Sequence, residues 1–354
     1  MKAKAAIVTA PDTIIFDDVD VREPKGNEVA VKITAVGICG TDMTGIHGYT
    51  KIFPGVYGHE GAGVVEAVGP DVTKFKVGDR VGITYTSCGS CKYCQMGRPN
   101  ACDTFMANFH SPGRLQYKGS QLYNWFGQNS FSTHTLTLES NLTRVPEGLD
   151  PDLAGPFGCG IMTGYGFMMD MNPQPDGVAV ILGLGTVGMA GIMAAKNAGV
   201  KTIIAVGGTA WKQDIARELG ATHIIDRTVT PDIAAAVRAI APNGGDYILE
   251  TTGRNSMVME ACKFQARLGT IYFAAVYHEP ITILPLMQVN GVYKQGTMGN
   301  WDAIPNIEML MQLSAEGKLP VEKLVKYYKF DEMEQAIDDL EHQRVIKPIL
   351  KIED

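Results

Sequence analysis

Four of the seven cysteines in this 354-residue sequence crowd into fifteen positions as Cys88-x2-Cys91-x2-Cys94-x7-Cys102, on a stretch that also carries Gly89 and Gly97. Four thiolates on a short, glycine-containing loop can wrap a tetrahedral zinc. A site whose four positions are all filled by protein is closed, so it stabilises a lobe and leaves no place for substrate. Zinc suits such ligands because it is borderline soft and brings no redox chemistry. In a long chain without a secretory leader, this crowding points to metal rather than to disulfides.

A second set is dispersed. Cys39 lies in Val36-Gly37-Ile38-Cys39-Gly40-Thr41-Asp42, His59 and Glu60 in Gly58-His59-Glu60-Gly61, and Cys159 in Gly158-Cys159-Gly160. A Cys/His/Cys set makes a three-ligand zinc site with a fourth position for water or substrate. Each member also has a plainer reading, since a buried cysteine usually packs and a lone histidine is usually a satisfied polar group. Spacing alone does not bring residues 39, 59 and 159 together. Cys262 falls in a helical stretch and reads as packing.

The third pattern is Gly183-Leu184-Gly185-Thr186-Val187-Gly188. It follows a short apolar run, Val178 to Leu182, and opens a helical stretch, the context a dinucleotide-binding turn requires. Glycines there let backbone amides approach a pyrophosphate at the helix N-terminus. About 20 residues further on, enzymes that take NAD place an acidic residue on the ribose 2′-hydroxyl. Here the sequence reads Gly207-Gly208-Thr209-Ala210-Trp211-Lys212, with no carboxylate. Gly207 leaves room for a 2′-phosphate, Thr209 can donate a hydrogen bond and Lys212 can supply positive charge, so NADP(H) is expected over NAD(H). Lys212 as a solvated helix-start lysine is the competing reading, and loss of the acidic residue does not by itself exclude NAD.

These groups need a scaffold of two kinds. The first ~150 residues show short β-like runs broken by Gly, Pro and Asp, such as Glu28 to Val36, Gly61 to Val68 and Arg80 to Thr84, which predicts an irregular β-rich domain. From Gly177 the texture changes to strand–helix alternation: Val178 to Leu182, helix Met189 to Ala198, Thr202 to Val206, helix Trp211 to Leu219, His223 to Ile225, helix Ile233 to Ile240, Tyr247 to Glu250, helix Ser256 to Gln265, Thr270 to Val276 and a strand at Tyr293 to Met298. That alternation predicts a doubly wound parallel sheet. Beyond Trp301 come helices Ile304 to Ala315 and Met333 to Gln343, with strands Val325 to Phe330 and Ile346 to Ile352.

Length suits two domains. A net charge of −7 with no basic run argues against nucleic acid and anionic membrane as partners. The opening residues lack the apolar core of a signal peptide, no run of about 18 apolar residues offers a membrane span, and a cytoplasmic location is expected.

Taken in order, the Cys39, His59–Glu60, four-cysteine, Cys159 and glycine-loop segments resemble the medium-chain zinc-dependent alcohol dehydrogenases over essentially the whole chain, most of all the aryl and cinnamyl alcohol dehydrogenase type. The resemblance implies an α/β fold, with a GroES-like β-rich catalytic domain (residues 1–160 and 299–354) around a Rossmann coenzyme domain (161–298). It implies two zinc ions per chain. Cys39, His59 and Cys159 would hold the catalytic zinc with Glu60 as an intermittent ligand, and Cys88, Cys91, Cys94 and Cys102 the structural one. Asp42 would hydrogen-bond His59 and fix its tautomer, and Thr41 would take the alcohol proton outward. Many members end this relay on a His five positions after the first ligand cysteine. Thr44 stands there, and His47, one helical turn further, reads either as its substitute or as a surface histidine. Thr163 and Val187 would flank the nicotinamide, and Lys347 would approach the pyrophosphate. Trp125 to Phe131 resembles the stretch lining the family's substrate pocket. Trp125 and Phe126, with Tyr49, Met298, Met106 and Phe109, favour apolar or aromatic substrates, although all but Trp125 and Phe126 read more simply as core or interface.

The expected reaction is reversible hydride transfer between NADP(H) and a primary aromatic or allylic alcohol, since zinc lowers the pKa of bound water to about 7 and acts likewise on an alcohol. The segment Met287 to Val292 precedes a strand that lies at a subunit interface in the family, so a homodimer or homotetramer is expected. Two rivals are a zinc polyol or amino-alcohol dehydrogenase and, from another class, a non-catalytic dinucleotide-binding protein on the same fold.

Overall fold

The computed structural model describes residues 1–105, 112–283 and 290–353. Met106 and Phe109 lie outside them, as do positions 287–289 of the expected interface segment. The chain forms two compact units, Met1–Cys159 with Trp301–Asp354, and Gly160–Asn300.

In the first unit, β1 (Lys2–Ala10) and β2 (Thr13–Val21) alternate exposed charged with buried apolar residues and pair as an antiparallel hairpin. β3 (Glu28–Gly37) is buried along most of its length and runs into helix α1 (Gly40–Ile46). There follow β4 (Gly55–Val56), β5 (Gly61–Val68), β6 (Arg80–Ile83), a single helical turn α2 (Lys92–Gln95), β7 (Pro112–Tyr117), β8 (Ser120–Tyr123), β9 (His134–Leu138) and β10 (Leu142–Arg144). Strands β1, β2, β7, β8 and β4 close a small barrel. The pairing of β3 with β5 sets Val36 opposite Gly61, so the turn that carries His59 and Glu60 lies beside the end of β3 that leads to Cys39. Gly37 has no substitute there: a Cβ would stand 2.1 Å from Glu60 Oε2.

The second unit begins with α3 (Met162–Asp170), then alternates β11 (Val178–Leu182), α4 (Thr186–Asn197), β12 (Thr202–Gly207), α5 (Ala210–Leu219), β13 (His223–Asp226), α6 (Ile233–Ile240), β14 (Gly245–Glu250), α7 (Asn255–Phe264), β15 (Gln265–Phe273) and β16 (Val292–Gln295). The strands form a parallel sheet in the order β13-β12-β11-β14-β15-β16, with the buried faces of β11, β12 and β14 in its core. This is the doubly wound arrangement read from the alternation. The last strand is shorter than expected because Met298 (φ 53°) and Gly299 (φ 72°) are left-handed, which extended backbone excludes. The turn after β11 is tight: a Cβ on Gly188 would stand 2.0 Å from Gly183 O, so α4 can seat on the strand only without a side chain.

The chain returns to the first unit through α8 (Ala303–Ala315), β17 (Val325–Lys329), α9 (Met333–Glu341) and β18 (Lys347–Lys351). β18 pairs antiparallel with β3, setting Ile349 opposite Gly37, and so extends the sheet β10-β6-β5-β3-β18-β17. Among the described residues, no helix is long and apolar enough to cross a membrane.

Candidate active site and metal centres

Strand pairing around β3 converges four donors. Cys39 caps the N-terminus of α1, His59 and Glu60 precede β5, and Cys159 sits in a π-helical turn, Phe157–Ile161, a local irregularity that often marks functional positions. The ligand atoms of Cys39, His59, Glu60 and Cys159 all lie within 4.8 Å of one another. Cys39 Sγ and Cys159 Sγ are 3.8 Å apart and His59 Nε2 is 3.2 Å from Cys159 Sγ. Two thiolates about 2.3 Å from one tetrahedral zinc lie about 3.8 Å apart, so the donor set fits that ion in chemistry and in spacing. The hydrogen bond shared by the two sulfurs holds the Cys39 thiol well below its ordinary range and pushes Cys159 well above it.

The supports are as specific as the donors. Asp42, fully buried, accepts at Oδ1 from His59 Nδ1 (2.7 Å) and at Oδ2 from the Cys39 amide (3.0 Å). A carboxylate only accepts, so Nδ1 carries the proton and Nε2 presents its lone pair to the cluster. The Phe126 ring stacks on the imidazole at 4.5 Å. The side-chain amide of Gln128 brackets Glu60: its Nε2 donates to His59 O (2.7 Å) and Ile83 O (3.3 Å), and its Oε1 accepts from the Gly61 amide (3.2 Å) and Ser130 Oγ (2.9 Å). This role of Gln128 was not anticipated from sequence, because three of its four bonds go to distant backbone and leave no local pattern.

Lys347 was expected at a pyrophosphate, and the structure gives it other partners. It is 2% exposed, and its ammonium donates to Ile38 O (3.1 Å) and to both oxygens of Glu60. Pairing of β18 with β3 aims it inward, and three acceptors engage its three protons. Burial pushes the Glu60 carboxyl up, and the Lys347 charge pulls against that. His47 also departs from the relay role considered for it. Its Nδ1 lies 2.6 Å from Asp12 Oδ1 and its Nε2 2.7 Å from Glu341 Oε1, so both ring nitrogens are engaged by surface carboxylates. Thr41 Oγ1 lies 3.9 Å from Cys39 Sγ, beside the cluster. Trp125, expected as pocket wall, is 1% exposed with its indole nitrogen on Asp42. Tyr49 is 64% exposed, and Met298 is buried within the second unit.

The four-cysteine loop closes on itself. The ligand atoms of Cys88, Cys91, Cys94 and Cys102 also lie within 4.8 Å of one another, with Cys88–Cys94 and Cys91–Cys94 sulfur distances of 3.9 and 3.6 Å. Backbone amides support the thiolates: Cys91 N donates to Cys88 Sγ and Cys88 N to Cys102 Sγ. The Cys91 amide first among several donors holds Cys88 down to about 6, whereas burial pushes Cys94 up to about 12.

In the second unit, Gly183, Gly185, Val187 and Gly188 form the turn into α4, with Gly183 left-handed (φ 101°) and Gly185 at the helix N-cap. Thr163, on α3, is half-buried, and the neighbouring Gly164 packs on the Val187 backbone. At the end of β12, Gly207 offers less room than its lack of a side chain suggests: a Cβ would stand 2.6 Å from Leu184 Cδ1. Thr209 caps α5. Lys212 is 8% exposed, its ammonium over the Trp211 ring at 5.4 Å. Arg227, one residue beyond β13, lies across Gly208, its Cγ and Nε 3.4 Å from where a Cβ would be. Its position was legible as a basic residue closing the third strand of the alternation, and sequence reasoning passed over it.

Comparison with known proteins agrees with this geometry. Residues 25–147 match the alcohol dehydrogenase GroES-like domain and residues 186–313 the zinc-binding dehydrogenase family. The chain is 32% identical to a geraniol dehydrogenase of Castellaniella defragrans, over 99% of this chain and 98% of that one. Among solved structures it superposes on an alcohol dehydrogenase zinc-binding domain protein from Burkholderia ambifaria (TM-score 0.94) and on a benzyl alcohol dehydrogenase from Acinetobacter calcoaceticus (TM-score 0.93), each 32% identical with both chains fully covered.

Proposed function

Since the chain belongs to the medium-chain zinc-dependent alcohol dehydrogenases, oxidoreductases that act on the CH–OH group of small alcohols with a nicotinamide dinucleotide as acceptor, we propose that it interconverts a primary aromatic or allylic alcohol and its aldehyde, with NADP(H) preferred over NAD(H). The observation that carries the catalytic assignment is the convergence of Cys39, His59, Glu60 and Cys159 on one point. A zinc held by these residues would supply Lewis acidity at the alcohol oxygen, and a nicotinamide dinucleotide held at the Gly183–Gly188 turn would be the hydride acceptor.

The chain's own residues do the rest. Cys39, His59 and Cys159 hold the metal, and Glu60, paired with Lys347, is the exchangeable fourth donor. Asp42 keeps Nδ1 of His59 protonated, so that Nε2 is always the donor. Thr41 Oγ1, 3.9 Å from Cys39 Sγ, would accept a hydrogen bond from the substrate hydroxyl and release its own proton outward to solvent as the alcohol proton is taken up. Cys88, Cys91, Cys94 and Cys102 hold a second, structural zinc. The names of the geraniol and benzyl alcohol enzymes support an allylic or aromatic substrate here, and the Phe126 ring stacked on His59 is an apolar surface beside the donor cluster.

Coenzyme choice rests on charge. No carboxylate stands between Gly207 and Lys212. Lys212 is nearly buried without a carboxylate partner among the described residues, and burial lowers its pKa. An ammonium in that position gains from an anion, and Arg227 adds a second cation at the same turn. Among the described residues β16 is an edge strand of the parallel sheet, which supports a homodimer or homotetramer.

The test is the initial rate of cinnamyl or benzyl alcohol oxidation with NADP and NAD at equal concentration. Turnover with a large NADP preference is expected. Turnover favouring NAD would overturn the coenzyme assignment. Turnover only with polyols or amino alcohols would overturn the substrate class.

A further inference from the structure

The bonding around Asp42 is asymmetric. Its Oδ2 accepts one bond, from the Cys39 amide, whereas Oδ1 accepts three: from His59 Nδ1 at 2.7 Å, from Trp125 Nε1 at 2.9 Å and from the Gly58 amide at 3.3 Å. Two of these donors are backbone and move only with the chain. Of the two side-chain donors, one is the His59 imidazole and the other is an indole that is itself held on several sides. Trp125 stacks on Tyr57 with centroids 4.6 Å apart, meets Phe126 edge-on at 5.5 Å, and lies over Gly45 of α1, where a Cβ would stand 2.9 Å from its Cη2. Tyr57 is anchored in turn by its hydroxyl, which donates to Ile52 O at 2.6 Å.

We propose that Trp125 is a positioning residue of the catalytic metal centre: its indole N–H fixes the Asp42 carboxylate and, through it, the imidazole of His59, and so governs how firmly the centre keeps its metal. The proposal rests on the assignment of Cys39, His59 and Cys159 as zinc ligands. The physical basis is direct. A carboxylate hydrogen-bonded by a single imidazole can rotate about its Cβ–Cγ bond and carry the ring with it. With three donors on one oxygen and one on the other, Asp42 has one orientation that satisfies them all, and the His59 ring plane is fixed before metal arrives. Trp125 also shares the charge of Oδ1 with His59, which sets how strongly Nε2 donates. A pocket-lining role for the ring needs no N–H, so the two roles separate at one atom.

The experiment compares the zinc-loaded wild type with Trp125→Phe, which keeps an aromatic ring on Tyr57 and removes the donor. A second variant, with β-(3-benzothienyl)alanine at 125, keeps the indole shape without the N–H and so guards against repacking. Release of the other zinc ion, at Cys88, Cys91, Cys94 and Cys102, is the internal control. The readouts are release of zinc to a chromogenic chelator and the d–d absorption of the cobalt-substituted enzyme. In both donor-less variants, one of the two zinc ions is expected to leave at least about tenfold faster, with the cobalt bands shifted, while release of the other ion stays at its wild-type rate. Unchanged release and unchanged bands in the benzothienyl variant would overturn the proposal and leave Trp125 as wall alone. A wild type that carries no zinc at Cys39, His59 and Cys159, seen as an unchanged zinc count in Cys39→Ser, would instead sink the ligand assignment and the proposal with it.

Discussion

Lys347 Nζ lies 2.8 and 2.7 Å from the two carboxylate oxygens of Glu60, 287 positions away in sequence, and the two side chains are 2% and 0% exposed. The carboxylate proposed above as the exchangeable metal ligand thus has a resident counter-ion of its own. Carrying one charge, Glu60 can face Lys347 or the metal, and each competes for it.

Breaking the pair from one side is expected to be costly. Lys347→Met leaves a buried carboxylate without its cation, which destabilises by about 3–5 kcal/mol. Glu60→Gln/Lys347→Met removes both charges and is expected to recover much of that loss. Urea denaturation of the zinc-loaded variants measures both. Equal destabilisation in the single and double variants would show that the pair is not coupled.

The two cysteine clusters predict different losses. Cys39→Ser is expected to lower the zinc content from two ions to one and kcat/KM by at least about 10³-fold, since Lewis-acid stabilisation amounts to several kcal/mol and each 1.36 kcal/mol is tenfold. Cys94→Ser is expected to lose the other ion and to show its defect first in thermal stability. Elemental analysis with a melting curve on each variant separates the sites. Identical defects would mean that they are not independent.

For coenzyme choice, Arg227 is the residue to change, because its side chain is exposed and lies across Gly208 at the end of β12. Arg227→Ala is expected to raise KM for NADP about tenfold, the worth of one charge-assisted hydrogen bond of about 1.5 kcal/mol, with KM for NAD within twofold. Equal effects on the two coenzymes would remove Arg227 from phosphate recognition.

What was legible in the sequence follows from range. Cys88 to Cys102 and Gly183 to Gly188 announce themselves because one ligand dictates residue types at short fixed spacing. β11 and β12 announce themselves because strands buried on both faces must be continuously apolar. The hydrogen bond from Trp125 to Asp42, the Gln128 clamp and the Lys347–Glu60 pair are set by which strands lie side by side, and nothing local encodes them. Trp125 was singled out as pocket wall and Lys347 for the pyrophosphate; the structure sets the indole nitrogen on Asp42 and, through the pairing of β18 with β3, the ammonium on Glu60. Gly207 is a similar case, since the space beside it is taken by Leu184, from the glycine turn that follows β11.

Two surface-linked groups predict the pH limits of stability. Burial opposes ionisation of Glu28, but bonds from Arg22, the Lys25 amide and Arg114 outweigh it and hold the carboxyl at about 2, below its ordinary 4.5. A depressed pKa contributes stability above the unfolded value, lost as pH falls through the folded one, so the melting temperature is expected to drop between about pH 4.5 and 2. Glu28→Gln is expected to lose that step. A step of full size in the variant would point to other carboxylates.

His47 works in the opposite direction. Burial lowers its pKa, but the bonds to Asp12 and Glu341 outweigh burial and leave it raised above 6.5. Its contribution is fully present below that ordinary value and is lost as pH rises through the raised one. His47→Gln is expected to flatten the stability profile above neutrality and to change kcat less than about threefold. A drop of 10²-fold, the least expected on losing a general base, would restore it to the proton relay.

The strand that carries Lys347 is also a matter of timing. Cys39, His59, Glu60 and Cys159 all leave the ribosome before β11 is made, whereas β18 follows the whole parallel sheet. Until then Glu60 has only water or metal for its charge, and β3 has an open edge on the side that β18 will occupy. Domains tend to fold as they emerge, so the four-cysteine loop can take its ion on a nascent chain, while the catalytic centre stays unsealed until synthesis reaches β18. Cys39, His59, Glu60 and Cys159 are thus made long before the strand that carries Lys347, and the pairing of Glu60 waits on residues far later in the chain than the donors themselves.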